Sequence, residues 1–425
     1  SGMLIYYIML AGVVVLGIPL CSSKCEKWGR IVYCIIGAIA FFAVASMRFE
    51  VGYDYNLYAG TYFNMKYVEL EDIMTNRMEK GFLVPFYVFD LVFENYQTAF
   101  VITSAVIYPV IFALIYKYSS KPWISAAAML CFGVFFNSLC FLRQFIAAII
   151  VAYAIKYVSG KNPFRFFVLV LAASAFHWSS LIMLVLYFFL KIKPSWIYTG
   201  IVAAGTVLFC IFSKTMMYWL IDKFYMYRFY DPTTNVEASV GLPPTYTIMF
   251  GVLFAVCFAF RKQLAEKNSN NSIYINCLMY SVVFEAMGLR HAVLSRFAIL
   301  VYLPAVLYLL PDTVQVVGEF ITEKIRTEKA VLGAKVGSAF AGSVFAVVFF
   351  TLLILNNYNG VVPYTTVFNR PYEIFTETVI TDDSEDNGWD ESENEDDGWE
   401  DEEEWDENED DSDFDINQEI LDQLS

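Results

Sequence analysis

The residues of this chain with the clearest chemical potential are charged side chains that interrupt long apolar stretches. Residues 123–142 and 144–158 are almost wholly apolar, and Arg143 with Gln144 divides them. A charge in or beside hydrocarbon is costly, so such residues usually face a polar cavity and mark a ligand or ion path. Contact with lipid headgroups is the alternative. Because Asn137 also makes this region polar, we favour a ligand site that includes Asn137, Arg143 and Gln144.

Carboxylates and histidines are scarce outside the C-terminal region, so those near arginines are candidate catalytic groups. Asp54 follows Arg48, and Glu79 is close to Arg77. A carboxylate at such a place could act as a general base on a hydroxyl group or orient it. His177 could be the base or a hydrogen-bond donor to a leaving phosphate, and a packed histidine is the alternative. Glu285, in an apolar stretch, should pair with an arginine.

Sequence motifs of several other chemistries are missing. The chain has no GxxxxGK[ST] loop, no HExxH, no GxSxG and no DxD on a soluble domain, which argues against nucleotide-driven transport, zinc proteolysis and cytosolic sugar-nucleotide transfer. The eight cysteines show no zinc spacing and fall in or beside apolar stretches, so we expect neither a bound transition metal nor a disulfide framework.

The elements that position these residues are predicted to be membrane-spanning helices. Hydrophobic residues make up 58% of the 425 residues, mean hydropathy is +0.50, and apolar runs near the ~20 residues that cross a bilayer recur along the chain. We therefore predict an all-α polytopic integral membrane protein with about twelve spans, some short or re-entrant. The predicted spans are 4–20, 31–47, 98–116, 123–142, 144–158, 166–176, 178–190, 196–212, 246–260, 272–288, 297–310 and 333–355.

The net charge of −16 conceals two parts of opposite sign. Residues 371–425 hold 26 of the 44 acidic residues and no Lys or Arg, which leaves 28 basic and 18 acidic residues, a net +10, in the remainder. Such a density of like charge cannot bury a core, so 371–425 should be a disordered, solvated tail, with calcium binding or wall adhesion as alternatives. Residues 3–370 form the predicted membrane domain.

Positive charge in the short loops sets the predicted orientation, with 17 cations inside, 11 outside and both termini outside. Residues 166–191, basic at both ends, must then enter the membrane and return, with His177 at the turn. Half-length helices are tolerated at membrane depth only beside protein or a water-filled cavity. Residues 82–93 are predicted to be re-entrant or interfacial, and long outer loops should lie near 48–97 and 213–245.

Arginine is over-represented on the predicted outer side, where it supplies seven of the 11 cations, compared with four of 17 inside. Topology needs positive charge of either kind, whereas the guanidinium group binds phosphate and carboxylate in a bidentate manner. Headgroup contact is the alternative for any single residue. We propose substrate contacts for the arginines at predicted span ends and in the second outer loop, namely Arg48, Arg143, Arg228, Arg290 and Arg296.

An ordered series of motifs is shared with a known family. The series runs from Arg48, Gly52-Tyr53-Asp54 and Tyr58 through Glu79-Lys80-Gly81-Phe82 to Asn137, Arg143-Gln144 and Phe176-His177-Trp178-Ser179. It is similar to the EpsG family of Wzy-like polysaccharide polymerases over roughly residues 3–355, although Trp178 is bulkier than expected and the acidic tail lies outside the resemblance.

The resemblance implies a GT-C-like, metal-independent glycosyltransferase without cofactor. Such an enzyme joins undecaprenyl-pyrophosphate-linked oligosaccharides at the outer face of a bacterial cell membrane during exopolysaccharide or capsule synthesis. Its partners would be the lipid-linked glycan, the bilayer and other assembly and export proteins, with no nucleic acid. In this interpretation Arg143, Arg290 and Arg296 stabilise the leaving pyrophosphate, and Asp54, Glu79 or His177 activates the acceptor hydroxyl. A transporter or flippase for a lipid-linked or anionic substrate, or a structural partner of an export complex, is the alternative.

Overall fold

The computed structural model describes residues 2–22, 26–76, 78–160, 162–223, 241–325 and 327–369. Within these ranges every regular element is helical, and the one bridge between extended residues joins Arg48 and Thr366. The all-α prediction is therefore confirmed. Arg228 and the acidic tail lie outside the described residues, so the structure does not test the predictions about them.

The described residues form eighteen α-helices, numbered here in chain order. They are α1 (Leu4–Leu20), α2 (Glu26–Ser46), α3 (Tyr55–Asn64), α4 (Leu70–Thr75), α5 (Lys80–Asp90), α6 (Gln97–Tyr118), α7 (Pro122–Cys131), α8 (Val134–Cys140), α9 (Leu142–Ala154), α10 (Pro163–Ser174), α11 (Ile182–Leu190), α12 (Trp196–Lys223), α13 (Thr245–Ala259), α14 (Arg261–Lys267), α15 (Asn271–Gly288), α16 (Ala292–Pro304), α17 (Leu310–Lys324) and α18 (Glu328–Leu355). Short 3-10 turns at Met65–Tyr67, Ile155–Tyr157, Trp178–Leu181, Tyr358–Gly360 and Val367–Asn369 and a π-turn at Ala305–Leu309 connect them.

Several helices are long and apolar enough to cross a membrane. Five pass this test in the described ranges, and up to seven do so if two bent helix pairs each count as one span. α1, α10 and Trp178–Leu190 are apolar but shorter. The chain is thus a helical membrane protein with several spans, and the count of twelve stays a prediction. The candidate spans are Lys27–Ser46, Gln97–Tyr118, Trp196–Thr215, Ala292–Lys324 and Glu328–Leu355, with the bent pairs α7–α8 and α13–α14.

The predicted straight span over 123–142 is broken. α7 and α8 meet at an angle of 61°, and Gly133 between them has φ +71°, a left-handed conformation that favours glycine. A Cβ atom at Gly133 would lie 2.0 Å from the Tyr246 hydroxyl, so the close approach of α13 also requires glycine. All seven residues of α8 are buried. This short helix therefore lies inside the protein and leads directly into Arg143.

The two predicted half-length limbs around His177 are present. α10 ends at Ser174, a helical stretch resumes at Trp178, and His177 between them has extended backbone with φ −160°. The segment 48–97, predicted to be a long loop, instead folds into three helices, α3 to α5. Tyr58 thus lies in α3 and Glu79 immediately before α5, near the turn at His177.

The described core is built around central helices that pack on several neighbours. α16 packs on α15 and α9, and α2 packs along α6, where Gly37 allows the Phe112 ring to approach the α2 backbone. The segment after α18 turns back and docks on the loop before α3. There the Gly52 N–H donates to the Gly360 carbonyl at 2.9 Å, and the Phe49 N–H donates to the Thr365 carbonyl at 3.1 Å.

Candidate active site

The start of α5 is fixed against the turn that carries His177. The Gly81 N–H donates to the Ala175 carbonyl at 2.8 Å, and a Cβ atom at Gly81 would lie 2.5 Å from that same oxygen. Real Cβ atoms do not approach a backbone oxygen so closely, so glycine is required here. The contact brings Glu79, two residues earlier, to the turn at residues 175–178.

Glu79 contacts two of the groups that the sequence singled out. Its Oε2 lies 2.6 Å from Nη1 of Arg143, and its Oε1 lies 2.9 Å from Nδ1 of His177. The Trp178 N–H donates to Oε1 at 3.2 Å. The side-chain Nδ1 of His177 is close to Oε1 but is not aligned for a hydrogen bond. Catalytic hydrogen bonds often reach good geometry only when substrate binds. One carboxylate thus joins Arg143 and His177.

The surroundings of Glu79 favour its ionised form. Its side chain is only 5% exposed, and burial alone raises its pKa. Contact with His177 and the positive charge of Arg143 outweigh burial, so the pKa of Glu79 falls from 4.5 to about 2. Glu79 is therefore a carboxylate at neutral pH, and its Oε1 faces Nδ1 of His177.

Arg143 lies in the first turn of α9 and uses only part of its guanidinium group for Glu79. Nη1 donates to Glu79, and the Tyr58 phenol lies next to the guanidinium group. Nε is buried and has no acceptor among the described residues. The side chain is 22% exposed. The group is therefore held in place yet retains surface that another anion could contact.

Three other predicted site residues make internal contacts near α9. The Gln144 side chain donates to the Arg296 carbonyl, and the Arg296 guanidinium lies 5.6 Å from the centre of the Phe141 ring. Asn137 donates to the Tyr302 hydroxyl at 2.5 Å and accepts from the Tyr358 hydroxyl at 3.1 Å. Gln144 and Arg296 thus connect α9 with α16. Asn137, which is 2% exposed, connects α8 with α16 and the 3-10 turn after α18.

Asp54 and Arg48 lie elsewhere in the segment that precedes α5. Asp54 immediately precedes α3, and burial, together with the nearby Asp54 carboxylate, raises the pKa of the Tyr58 phenol. Arg48 is 1% exposed, with its guanidinium 4.7 Å from the centre of the Phe100 ring. Glu285 forms no salt bridge with another described residue, and its expected pairing with an arginine stays a prediction because Arg228 lies outside the described ranges.

Arg290 lines a cavity that was not predicted from the sequence. The cavity has a volume of about 500 Å³, and its described lining includes Arg290, His291 and Lys214 but no Asp or Glu. Its remaining described lining consists of Cys210, Ile211, Ser213, Tyr218, Gly241 and Leu289. Two cations and a histidine without a carboxylate in the described wall are suited to an anionic ligand.

Sequence reasoning missed Lys214 and His291 as site residues, and it named Tyr58 only within a motif. His291 directly follows Arg290 and is one of only two histidines, a signal that was available. Lys214 was counted among the outer cations, but nothing in the sequence brings α12 beside the end of α15. In the described ranges, no three His, Cys, Asp or Glu side chains are grouped so that they could hold a metal ion.

The fold and the site together define a class of protein: a helical membrane protein with an ionised carboxylate set between an arginine and a histidine. The chain belongs to the EpsG family, whose model matches residues 31–366, most of the chain. At family level this membership supports a Wzy-like polymerase role in polysaccharide biosynthesis. No curated protein and no solved structure matches the chain.

Proposed function

We propose that this protein is a polysaccharide polymerase that joins polyprenyl-pyrophosphate-linked oligosaccharide repeat units at the outer face of a bacterial cell membrane. Membership of the EpsG family supports the polymerase role. The observation that carries the chemical proposal is the contact of Glu79 with both His177 and Arg143. Such an arrangement provides a general base whose orientation and protonated nitrogen are set by a carboxylate.

In the proposed step, His177 activates the acceptor. Nε2 of His177 takes the proton of an acceptor sugar hydroxyl, whose oxygen forms a bond with the anomeric carbon of the donor sugar. The bond between that carbon and the pyrophosphate oxygen breaks, and its electron pair leaves with the pyrophosphate. Glu79 keeps Nδ1–H in place and stabilises the imidazolium that forms. Asp54 is the alternative group for orienting the acceptor hydroxyl.

The leaving pyrophosphate needs positive charge where its own charge develops. We assign this role first to Arg290, with Lys214 and His291, because these residues line one cavity without a described acidic neighbour. Arg143 contributes through the part of its side chain that stays exposed beside Glu79. Arg296 and Arg228 remain candidate substrate contacts. Gln144 and Asn137 act through the helices that they hold together, and Arg48, at 1% exposure, is too buried to reach the substrate.

A bond-forming assay separates this proposal from transport. Purified protein is incubated with short lipid-linked repeat units, and the lipid-linked glycans are then sized. We expect longer chains with the wild type and with Glu71→Gln, a change at an exposed acid on α4 that serves as a matched control. Glu79→Gln should lengthen chains about 100-fold more slowly, or more slowly still, at equal protein level. A protein that moves the substrate across vesicles without lengthening it is a transporter, and the polymerase proposal then fails.

A further inference from the structure

Arg48 is a buried cation without a hydrogen-bond acceptor in the described part of the chain. Arg48 is 1% exposed, and all three nitrogens of its guanidinium group, Nε, Nη1 and Nη2, are buried and have no hydrogen-bond acceptor among the described residues. Arginine stays protonated in proteins, so this side chain carries its positive charge into the interior. An unpaired buried charge is among the most costly features that a folded protein can contain.

The backbone of Arg48 is held so that the side chain cannot swing out easily. Its carbonyl accepts a hydrogen bond from the Gln97 side chain at 3.0 Å, and the residue pairs with Thr366 as an antiparallel bridge. The Val367 N–H donates to the Met47 carbonyl at 3.0 Å on the adjacent position. Backbone contacts with Gln97 and with Thr366 therefore keep the guanidinium group inside the protein.

The groups around Arg48 do not supply a negative charge. Those that act most strongly on it are Tyr108, Tyr55, Cys140 and Tyr6, which are phenols and a thiol that stay neutral at neutral pH. The Tyr6 hydroxyl donates to the Val361 carbonyl at 2.8 Å, and the Tyr108 hydroxyl is 2.8 Å from that of Ser138. The face of Phe100, 4.7 Å from the guanidinium carbon, offers a favourable contact but carries no negative charge.

We infer that Arg48 binds a small monovalent anion of the halide class, with chloride as the physiological candidate. Because the guanidinium group is almost wholly buried, it favours a monatomic ion over phosphate, which is larger and carries more charge than one guanidinium neutralises. Phenol and phenylalanine rings around the group also suit a weakly hydrated, polarisable ion. Tyr55 of α3 and Cys140 of α8 both lie beside Arg48, so a bound anion would hold these two helices together.

Thermal unfolding of the purified full chain in detergent tests this inference. The unfolding midpoint is compared in gluconate, chloride and bromide at equal ionic strength. Because a ligand that binds only the folded state stabilises it, chloride and bromide should each raise the wild-type midpoint by about 2 °C or more, with saturation. Arg48→Gln should abolish this response.

Arg30→Gln is the matched control, since the Arg30 guanidinium donates to the carbonyls of Tyr116 and Ser119 and needs no added anion. This variant should keep the full halide response. A wild type without a halide response, or an Arg48→Gln variant that keeps it, overturns the inference. If Arg48→Gln does not fold, wild-type crystals grown in bromide decide the question. An anomalous peak in contact with the guanidinium supports the site, and a map without one overturns it.

Discussion

Glu79 and Arg143 lie 64 residues apart in the sequence, yet Oε2 of the first is 2.6 Å from Nη1 of the second. The other carboxylate oxygen of Glu79 contacts His177, so one side chain sets the position of two others. This relationship gives Arg143 a role beyond direct substrate contact, because its charge keeps Glu79 ionised beside the proposed base.

Arg143→Lys should abolish polymerisation while the protein still folds. A lysine ammonium cannot contact Glu79 and Tyr58 in the geometry of a planar guanidinium and also present a free edge to phosphate. Lysine is the better test than alanine, since removing one partner of a buried pair costs about 3–5 kcal/mol and could unfold the protein. The readouts are polymer length and the unfolding midpoint. Near-normal polymer from a well-expressed Arg143→Lys variant would exclude the proposed role.

The matched control for that experiment is Arg30→Lys. Arg30 donates to two backbone carbonyls, from Nη2 to Tyr116 and Ser119, which an ammonium group can also satisfy. We expect Arg30→Lys to make polymer of normal length. Loss of polymer in both variants would show that the assay responds to any change of arginine.

Gly81→Ala should separate Glu79 from His177. The added Cβ would meet the Ala175 carbonyl at 2.5 Å, and a backbone oxygen cannot move aside as a flexible side chain can. We expect bond formation to fall by about 100-fold or more, the range of general-base contributions. Gly60→Ala is the control, because nothing lies within 4 Å of its Cβ position and alanine favours the helix by about 1 kcal/mol. Equal activity of the two variants would contradict the docking argument.

The contribution of Glu79 to stability should depend on pH in an acidic window. Its folded-state pKa is about 2, below its ordinary 4.5, so its stabilising contacts are fully present above pH 4.5 and are lost as pH falls towards 2. The measurement is the difference in unfolding free energy between wild type and Glu79→Gln, followed from neutral to acidic pH. A difference that stays constant through this window, or that grows as pH falls, would contradict the assignment.

The sequence predicted the class of fold because long apolar runs with basic flanks have few other solutions in a chain of this composition. It also singled out Glu79, Arg143 and His177 as separate candidates, since charges and histidines beside apolar segments are rare. It did not predict that they meet. That contact depends on the Gly81–Ala175 docking, a tertiary contact without periodicity or spacing to reveal it.

The break at Gly133 could not be predicted from the sequence. Residues 123–142 are apolar throughout, and a single glycine within a helical pattern is usually tolerated. The 61° bend follows from the positive φ at Gly133 and the close approach of Tyr246, a residue more than a hundred positions away. The cavity at Arg290 was missed for a similar reason, because α12 extends to Lys223 and so carries Lys214 beyond the predicted span end at 212.

The turn at His177 should be reachable from outside the cell or through a cavity, while residues 191–193 should face the cytoplasm. Basic residues at both ends of 166–191 motivate this prediction. His177→Cys and Lys193→Cys, each in a background without native cysteines, are labelled with an impermeant maleimide in intact cells. Labelling of the His177→Cys variant is expected. Labelling of the Lys193→Cys variant from outside would overturn the topology.

The most direct test of the central claim is a double-mutant cycle on bond formation with His177→Gln and Glu79→Gln. Single-turnover rates with lipid-linked repeat units are measured for wild type, both single variants and the double variant, at equal folded protein. Because Glu79 acts through His177, each single change should slow the reaction by about 100-fold or more, and the double variant should be no slower than the slower single. Losses that multiply in the double variant would show that the two residues act independently, and the proposed dyad would be wrong.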